Sequence, residues 1–435
     1  MKKKNALRVT LTLLMIVAVI VLALGLSSCG ILLQDFGVAD NSRTTITKTE
    51  INESGELIIY FSDGSWQNAG RIENNQINIT IEGDGESVSG ATAKGLMSAV
   101  SIQSNFVSKT QNYIPGFGII GGSGNSYYSR GSGVIYKLDG DAALIITNHH
   151  VVYDSGSRAS DGVSTDIDVF LYGREDEKYA ISAEYVGGSA YYDIAVLYAK
   201  DQAFTSPTVS AVSVADGEVS VGQTAIAVGN PQGYGISASL GIVSVDSEYI
   251  ALSESKISTR VIRVDTAVNA GNSGGGLYNG HGELIGIVNA KIVDESVENI
   301  GYAIPTSVAI SVADNIIDNC FNKTARTVKR ALLGVNLDTA DATTVITDDG
   351  KVEIRETVTV TSVDNKGIAH GVLKKGDILL SVSLGEETKE ITRTHHVIDF
   401  MLKARVGDTV TVKLIRAGET VTATFTVTAS SITEY

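Results

Sequence analysis

The chain has 435 residues, a formal net charge of −15 at pH 7 and only two cysteines. At roughly 100–200 residues per domain this length predicts two to four domains, and an apolar content of 43% is incompatible with a disordered chain. The acidic balance argues against nucleic acid, whose phosphates need a basic surface. Two cysteines cannot build a disulfide scaffold, a thiolate zinc centre or an iron–sulfur cluster.

The first element is a targeting segment. Lys2, Lys3, Lys4 and Arg8 precede an almost purely apolar run from Val9 to Leu26. That is the form of a secretory leader, and it is also long enough to serve as a retained transmembrane anchor. Leu26-Ser27-Ser28-Cys29-Gly30 resembles the lipobox of bacterial lipoproteins. The resemblance implies cleavage before Cys29, lipidation of Cys29, and a chain held at the extracytoplasmic face of the bacterial cell membrane by lipid. Loss of the leader, with four cations and no acids, would take the net charge from −15 to −19. Membrane attachment would then come from lipid and not from charge.

Residues 30–90 are polar, with strand-like pieces at 56–61 and 76–81 separated by Asp63-Gly64 and Asn74-Asn75 turns. Residues 104–131 are rich in Gly, Ser, Asn and Tyr and read as a loop. Short strands then follow at 134–138, 142–147, 167–172, 180–186, 194–198, 224–228, 241–245, 261–264, 277–278 and 284–288. Frequent turns with no intervening helices predict antiparallel barrels or sandwiches. Pro305-Thr306-Ser307 opens a helix in which Val308, Val312, Ile316 and Cys320 recur every fourth residue, so Cys320 is expected to be a buried small hydrophobe. Beyond a polar linker at 322–328, strands are expected at 358–363, 378–382, 409–415 and 420–427. Helical segments are expected at 368–373 and 394–405. This stretch reads as a separate domain of about 100 residues.

Three segments carry chemistry together. Thr147-Asn148-His149-His150-Val151 ends an apolar strand in a histidine pair. Tyr192-Asp193-Ile194-Ala195-Val196-Leu197 places an acid where an apolar strand begins, and Gly271-Asn272-Ser273-Gly274-Gly275 sets a serine in a glycine turn. Acyl transfer at neutral pH needs a hydroxyl, an imidazole to take its proton, and a carboxylate to fix the imidazole tautomer. It also needs backbone N–H groups aimed at the developing oxyanion. Each segment alone is a common structural feature, but their joint order of His, Asp and Ser in a β-rich region is specific.

These segments resemble the HtrA (DegP-like) branch of trypsin-like serine proteases, in which they match T-N-x-H-V, D-I-A-L/V and G-N-S-G-G. Gly131-Ser132-Gly133, Gly229-Asn230-Pro231 and Gly301-Tyr302-Ala303-Ile304-Pro305 match as well. The resemblance implies a mainly β protein with a chymotrypsin-like double β-barrel. It makes Ser273 the nucleophile, His150 the base and Asp193 the orienting acid, with the N–H groups of Gly271 and Ser273 as the oxyanion hole. No metal or organic cofactor is implied. Ala267 stands where trypsin carries the aspartate that selects basic side chains, so a specificity pocket near Ala267 and Val288 is expected to accept small or medium apolar residues. Ala270 departs from the family's proline before the glycine turn.

In the C-terminal region, Gly371-Val372-Leu373-Lys374-Lys375-Gly376-Asp377-Ile378 resembles the G-L-K-x-G-D-x-I segment of bacterial PDZ domains. Leu332-Leu333-Gly334-Val335 falls at their carboxylate-binding loop, making Leu333 and Gly334 the implied contacts to peptide C-termini. His395 and His396 are expected to be solvent-exposed first-turn residues, the other reading being that they line the peptide groove. The expected domains are a lipoprotein signal peptide (1–28), a polar spacer or small β-module (29–92), a trypsin-like serine protease domain (93–325) and a PDZ-like α+β domain (330–430). The resemblance implies an endopeptidase acting on unfolded or misfolded proteins in protein quality control. It also allows a homotrimer built through Phe106, Tyr113 and Phe117. The competing readings are a binding or chaperone-like scaffold with weak or no cleavage, and a lipid-anchored adhesin supported only by residues 30–90.

Overall fold

The computed structural model describes residues 88–109, 126–251, 258–290, 300–347 and 350–434, together with strand segments 46–51, 56–61, 66–73, 76–77, 113–114 and 118–119. The leader, Cys29 and Phe117 lie outside the described residues. The chain divides into two compact units, Met1–Gly83 and Asp84–Tyr435.

In the first unit, β1 (Ile46–Ile51), β2 (Glu56–Phe61), β3 (Trp66–Glu73) and β4 (Gln76–Ile77) form one antiparallel sheet in sequence order. The strand expected at 76–81 is described only for its first two residues. β1 and β3 were not foreseen, because each is largely polar and its extended state is stabilised by pairing with β2, as in Ile51↔Leu57 and Tyr60↔Trp66.

The second unit begins with α1 (Val88–Ser98) and β5 (Ala99–Val107), followed by the short β6 (Tyr113–Ile114) and β7 (Gly118–Ile119). β8 (Ser126–Asp139) and β9 (Ala142–Thr147) form the expected hairpin across Gly140, whose φ of +59° suits glycine. Then come the single turn α2 (His149–Val152), β10 (Asp166–Leu171), β11 (Ile181–Ser189) and β12 (Ile194–Lys200). Strands β10-β11-β12-β9-β8-β5 close into a barrel. Its interior is filled by β-branched and aliphatic side chains, among them Ile102, Ile135, Ile145, Val169 and Leu197. Burying each stabilises the fold by about 1.5–3 kcal/mol.

β13 (Thr224–Gly229), β14 (Ser237–Ala251), β15 (Ser258–Val264), β16 (Gly276–Tyr278), β17 (Leu284–Val288) and β18 (Gly301–Pro305) close a second six-stranded barrel, in the order β13-β14-β15-β18-β17-β16. From it runs α3 (Thr306–Cys320), whose Val308, Val312, Ile316 and Cys320 are all buried as the four-residue spacing predicts. Burial pushes the Cys320 thiol pKa up, and its Sγ lies 3.6 Å from the Thr327 carbonyl. The residue is packing, not reactive thiolate.

The last region holds β19 (Lys329–Ala331), β20 (Val335–Ile346), β21 (Val352–Val363), β22 (Ile378–Leu384), β23 (Glu387–Glu390), α4 (Thr394–Phe400), β24 (Thr409–Arg416), β25 (Glu419–Thr426) and β26 (Ile432–Glu434). The main sheet runs β20-β21-β22-β24-β25 around a core of Val358, Leu379, Val382, Val397, Phe400 and Val412. Residues 338–356 belong to a long exposed hairpin, paired to Ile346↔Val352. No helix forms at 368–373. Gly371 adopts φ +77° inside the single turn closed by Leu373 N–H on the Ala369 carbonyl, so a regular helix does not form there. Ala369 and Leu373 still reach the core.

A second correction concerns His395 and His396. Neither is solvent-exposed; each is only 5% accessible. They lie at a contact between α4 and the second barrel, where Arg260 pairs with Asp399 and Arg393 with Asp246 at 2.9 Å. Phe106 is likewise buried and stacks on Tyr127 at 5.5 Å.

Candidate active site

The first barrel supplies the histidine and the acid. β9 ends at Thr147, Asn148 turns the chain, and α2 carries His149 and His150 in adjacent positions about 100° apart. Their side chains therefore diverge. His149 is buried and packs on the Tyr153 ring at 4.8 Å. His150 turns toward Asp193, at the start of β12, and its Nδ1 lies 2.7 Å from Asp193 Oδ2.

Asp193 is held from several sides. The His150 backbone N–H donates to Oδ1 at 3.0 Å, Asn289 Nδ2 donates to Oδ2 at 2.8 Å, and Asn148 Nδ2 donates to the Asp193 carbonyl at 2.8 Å. Asp193 itself sits at φ +51°, a left-handed conformation that costs an L-residue roughly 1–2 kcal/mol. Such strain persists only where surrounding contacts over-determine it, as these do. Burial pushes the Asp193 carboxyl pKa up, but the charge and hydrogen bonds of His150 outweigh it, and the net shift is downward. The group is an ionised carboxylate bonded to the ring nitrogen opposite the one that must face a hydroxyl.

The second barrel supplies the serine loop, tied to the first barrel through the glycine-rich segments at 131–133 and 229–231. Ser132 N–H donates to the Ser273 carbonyl at 2.8 Å, and Ser132 Oγ donates to the Gly271 carbonyl at 2.7 Å. The same Oγ accepts the Asn230 N–H at 2.8 Å. Thr147 Oγ1 closes the arrangement on the Ser132 carbonyl at 2.7 Å. Only glycine fits two positions here. A Cβ on Gly274 (φ +86°) would lie 2.2 Å from the Ser132 carbonyl oxygen, and one on Gly271 (φ +96°) would lie 2.3 Å from the Asn230 carbonyl oxygen.

Ala270, the departure from proline, is tied instead by its carbonyl accepting the Gln232 N–H at 2.7 Å. In a trans peptide the C=O and the following N–H point in opposite directions, so Gly271 N–H faces away from Gln232. Among the described residues, neither Gly271 N–H nor Ser273 N–H has a protein acceptor. Two unsatisfied, neighbouring backbone donors beside a serine are the groups that stabilisation of an oxyanion requires. Ser273 Oγ accepts the Ala290 N–H at 3.1 Å and makes no hydrogen bond to His150.

The other predicted contacts are placed as follows. Val288 is buried in the second barrel's core and exchanges backbone hydrogen bonds with Gly274 and Gly275, whereas the Ala267 side chain is exposed and its carbonyl accepts from Ser239 Oγ. Leu333 packs in the core of the last region. Gly334 adopts φ +73° and lies against Gly367, where a Cβ would come within 2.4 Å. Sequence reasoning missed Asn289 and the bridging role of Ser132. Asn289 directly follows the apolar β17, and a fully buried amide at a strand end needs a polar partner.

Two closed barrels that share a His–Asp pair and a serine loop define a trypsin-like peptidase, here followed by a PDZ domain. Residues 131–287 match the model of the trypsin-like peptidase domain, and residues 331–427 match that of the PDZ domain. The chain is 31% identical over 308 residues to "Serine protease Do-like HtrA" of Bacillus subtilis (strain 168), covering 67% of this chain and 62% of that protein. It is 30% identical over 311 residues to "Serine protease Do-like HtrA" of Lactococcus lactis subsp. cremoris (strain MG1363), covering 68% and 70%. The solved structure of the HtrA-type protease AlgW with decapeptide is similar over 79% of this chain and 98% of its own, with 25% identity and a TM-score of 0.48. The chain belongs to the HtrA family of serine proteases.

Proposed function

We propose that this protein is a membrane-tethered endopeptidase at the extracytoplasmic face. It cleaves unfolded or misfolded proteins through an acyl-enzyme on Ser273. The observation that carries the reading is the hydrogen-bonded pair of the buried Asp193 and the part-buried His150, in a chain whose serine loop has two unsatisfied N–H donors. His150 Nε2 takes the Ser273 proton as Oγ attacks the scissile carbonyl. Asp193 holds the tautomer and stabilises the imidazolium, and Gly271 and Ser273 N–H groups receive the oxyanion. The imidazolium then protonates the leaving amine, and water activated by His150 releases the acyl group. Small or medium apolar side chains would enter beside Ala267 and Val288.

The PDZ domain would take peptide C-termini along the exposed edge of β20, with the carboxylate at Leu333 and Gly334. Cleavage of casein by wild type and by Ser273→Ala tests the enzyme reading; equal cleavage by both would end it. The missing Ser273–His150 hydrogen bond favours a second reading, a peptide-binding scaffold with weak or no turnover. Absence of cleavage by either protein would select it. The lipid tether rests on the Leu26–Cys29 pattern: Cys29→Ala should move the protein out of the membrane fraction, and continued lipid labelling of that variant refutes it. A homotrimer, if formed, must use contacts other than the buried Phe106; a single-chain mass by ultracentrifugation excludes it.

A further inference from the structure

Away from the serine, three potential metal ligands converge where α4 meets the loop leading into β13. Glu218 lies on that loop, and His395 and His396 occupy the first turn of α4; one ligand atom from each lies within 4.8 Å of the others. His396 Nε2 is 3.6 Å from Glu218 Oε1, and His395 Nε2 is 3.8 Å from Oε2. Adjacent helix residues normally diverge by roughly 100°. Here the two imidazoles meet edge to face, 4.7 Å between centroids, with both Nε2 atoms near one carboxylate.

The far side of each ring is anchored. His396 Nδ1 lies 3.1 Å from the Glu390 carbonyl, a contact that an Nδ1–H satisfies, and 3.3 Å from the Thr392 N–H, which would need an Nδ1 lone pair instead; the carbonyl contact is the shorter of the two. His395 Nδ1 lies 3.4 Å from Ser247 Oγ. With the proton on Nδ1, His396 turns an Nε2 lone pair toward Glu218. That Nε2 is buried and has no hydrogen-bond partner. A buried imidazole nitrogen without a donor is costly, and an imidazole bonded through its other nitrogen to a carbonyl has the support that metal-ligating histidines have.

We propose that Glu218, His395 and His396 form a site for one divalent transition-metal ion of the zinc class, bridging the PDZ domain to the second barrel. Zinc bound at 2.0–2.1 Å in a tetrahedron separates its ligand atoms by about 3.4 Å; the three ligand atoms here lie within 4.8 Å of one another, so the set must contract by at most about 1.4 Å to hold the ion. Two imidazoles with a carboxylate select transition metals over magnesium or calcium. Glu218 and His396 line a cavity of about 340 Å³ together with Glu387, Thr388 and Asp399. Two cations stand nearby. Arg260 is committed to Asp399. Lys389 contacts Glu218 Oε1 at 2.8 Å and, about one-third exposed, can exchange the carboxylate for solvent when the metal enters. The ion would do no chemistry; it would fasten α4 to the loop before β13.

The test is equilibrium dialysis of Zn2+ against the tag-free full chain in detergent, with the absorption of Co2+ reporting tetrahedral geometry. One Zn2+ per chain is expected. Glu218→Gln, which keeps the shape of a partly exposed loop side chain, and His396→Asn should each weaken binding by at least about tenfold. His150→Ala should bind as the wild type does. Three results would overturn the proposal: no stoichiometric Zn2+, unchanged binding in Glu218→Gln whatever His396→Asn does, or loss of binding in His150→Ala with retention in Glu218→Gln.

Discussion

Ser132 links the two barrels at the point where the oxyanion donors are held, and its removal has a calculable effect. Its hydroxyl donates to the Gly271 carbonyl at 2.7 Å and accepts the Asn230 N–H at 2.8 Å, and the residue is fully buried. Ser132→Ala leaves no steric problem but strands two buried backbone groups. At about 1–3 kcal/mol for each unsatisfied group, the fold should lose roughly 2–6 kcal/mol. For a domain of this size that is a fall in Tm of at least about 4 °C. The released Gly271 carbonyl belongs to the loop whose N–H groups are proposed to receive the oxyanion. A misplacement of about 1 Å at such a site costs about a hundredfold in rate, so kcat should drop roughly 10- to 100-fold while KM changes little. The assay is steady-state cleavage of a chromogenic peptide well below the variant's Tm, beside a thermal melt. A Ser132→Ala protein that is destabilised but keeps kcat within about twofold would break the link drawn between this hydroxyl and the oxyanion donors.

Gly274→Ala places a methyl 2.2 Å from the Ser132 carbonyl oxygen at φ +86°, so the serine loop must shift. Peptide cleavage should fall at least about a hundredfold, and near-normal activity would contradict the loop geometry. Asp377 makes a two-pronged contact with Arg416, Nε to Oδ1 at 2.7 Å and Nη2 to Oδ2 at 2.6 Å. Burial raises its pKa, but the Arg416 hydrogen bonds and charge outweigh this and lower it. A carboxyl lowered by folding contributes stability that is complete above the unfolded value of about 3.9 and is lost as pH falls through the folded value. The wild-type melting temperature should therefore decline more steeply below about pH 4 than that of Asp377→Asn; parallel acid melting curves would refute the assignment.

Much of the fold was legible because its strands are short, apolar and punctuated by turns. β9, β13, β17 and α3 fall within a residue or so of their expected positions, since the periodicity of their apolar residues is also the periodicity of burial. What escaped was structure whose cause is non-local. β20 is extended by its partner β21 and not by its own largely polar sequence, and the turn at 368–373 has a helical apolar spacing that Gly371 interrupts. The buried state of His395 and His396 was hidden for the same reason. Their burial is imposed by Glu218 and by the Arg260–Asp399 contact, more than a hundred residues away along the chain.

The candidate site was legible in a different way. His150, Asp193 and Ser273 are visible as residue types that acyl transfer demands, but the sequence does not say why Gly131-Ser132-Gly133 and Gly229-Asn230-Pro231 accompany them. The hydrogen bonds supply the reason. Asn230 N–H, Ser132 Oγ and the Gly271 carbonyl form one chain of contacts, and Ser132 N–H reaches the Ser273 carbonyl from the same residue. These segments tie down the serine loop, while Asn289 and the His150 backbone hold the Asp193 carboxylate. The donors to Asp193 and the ties on the serine loop share no atom, which makes the two halves of the site separable. A change at Asn289 should alter the imidazole's orientation without moving the oxyanion donors, and a change at Ser132 should do the reverse.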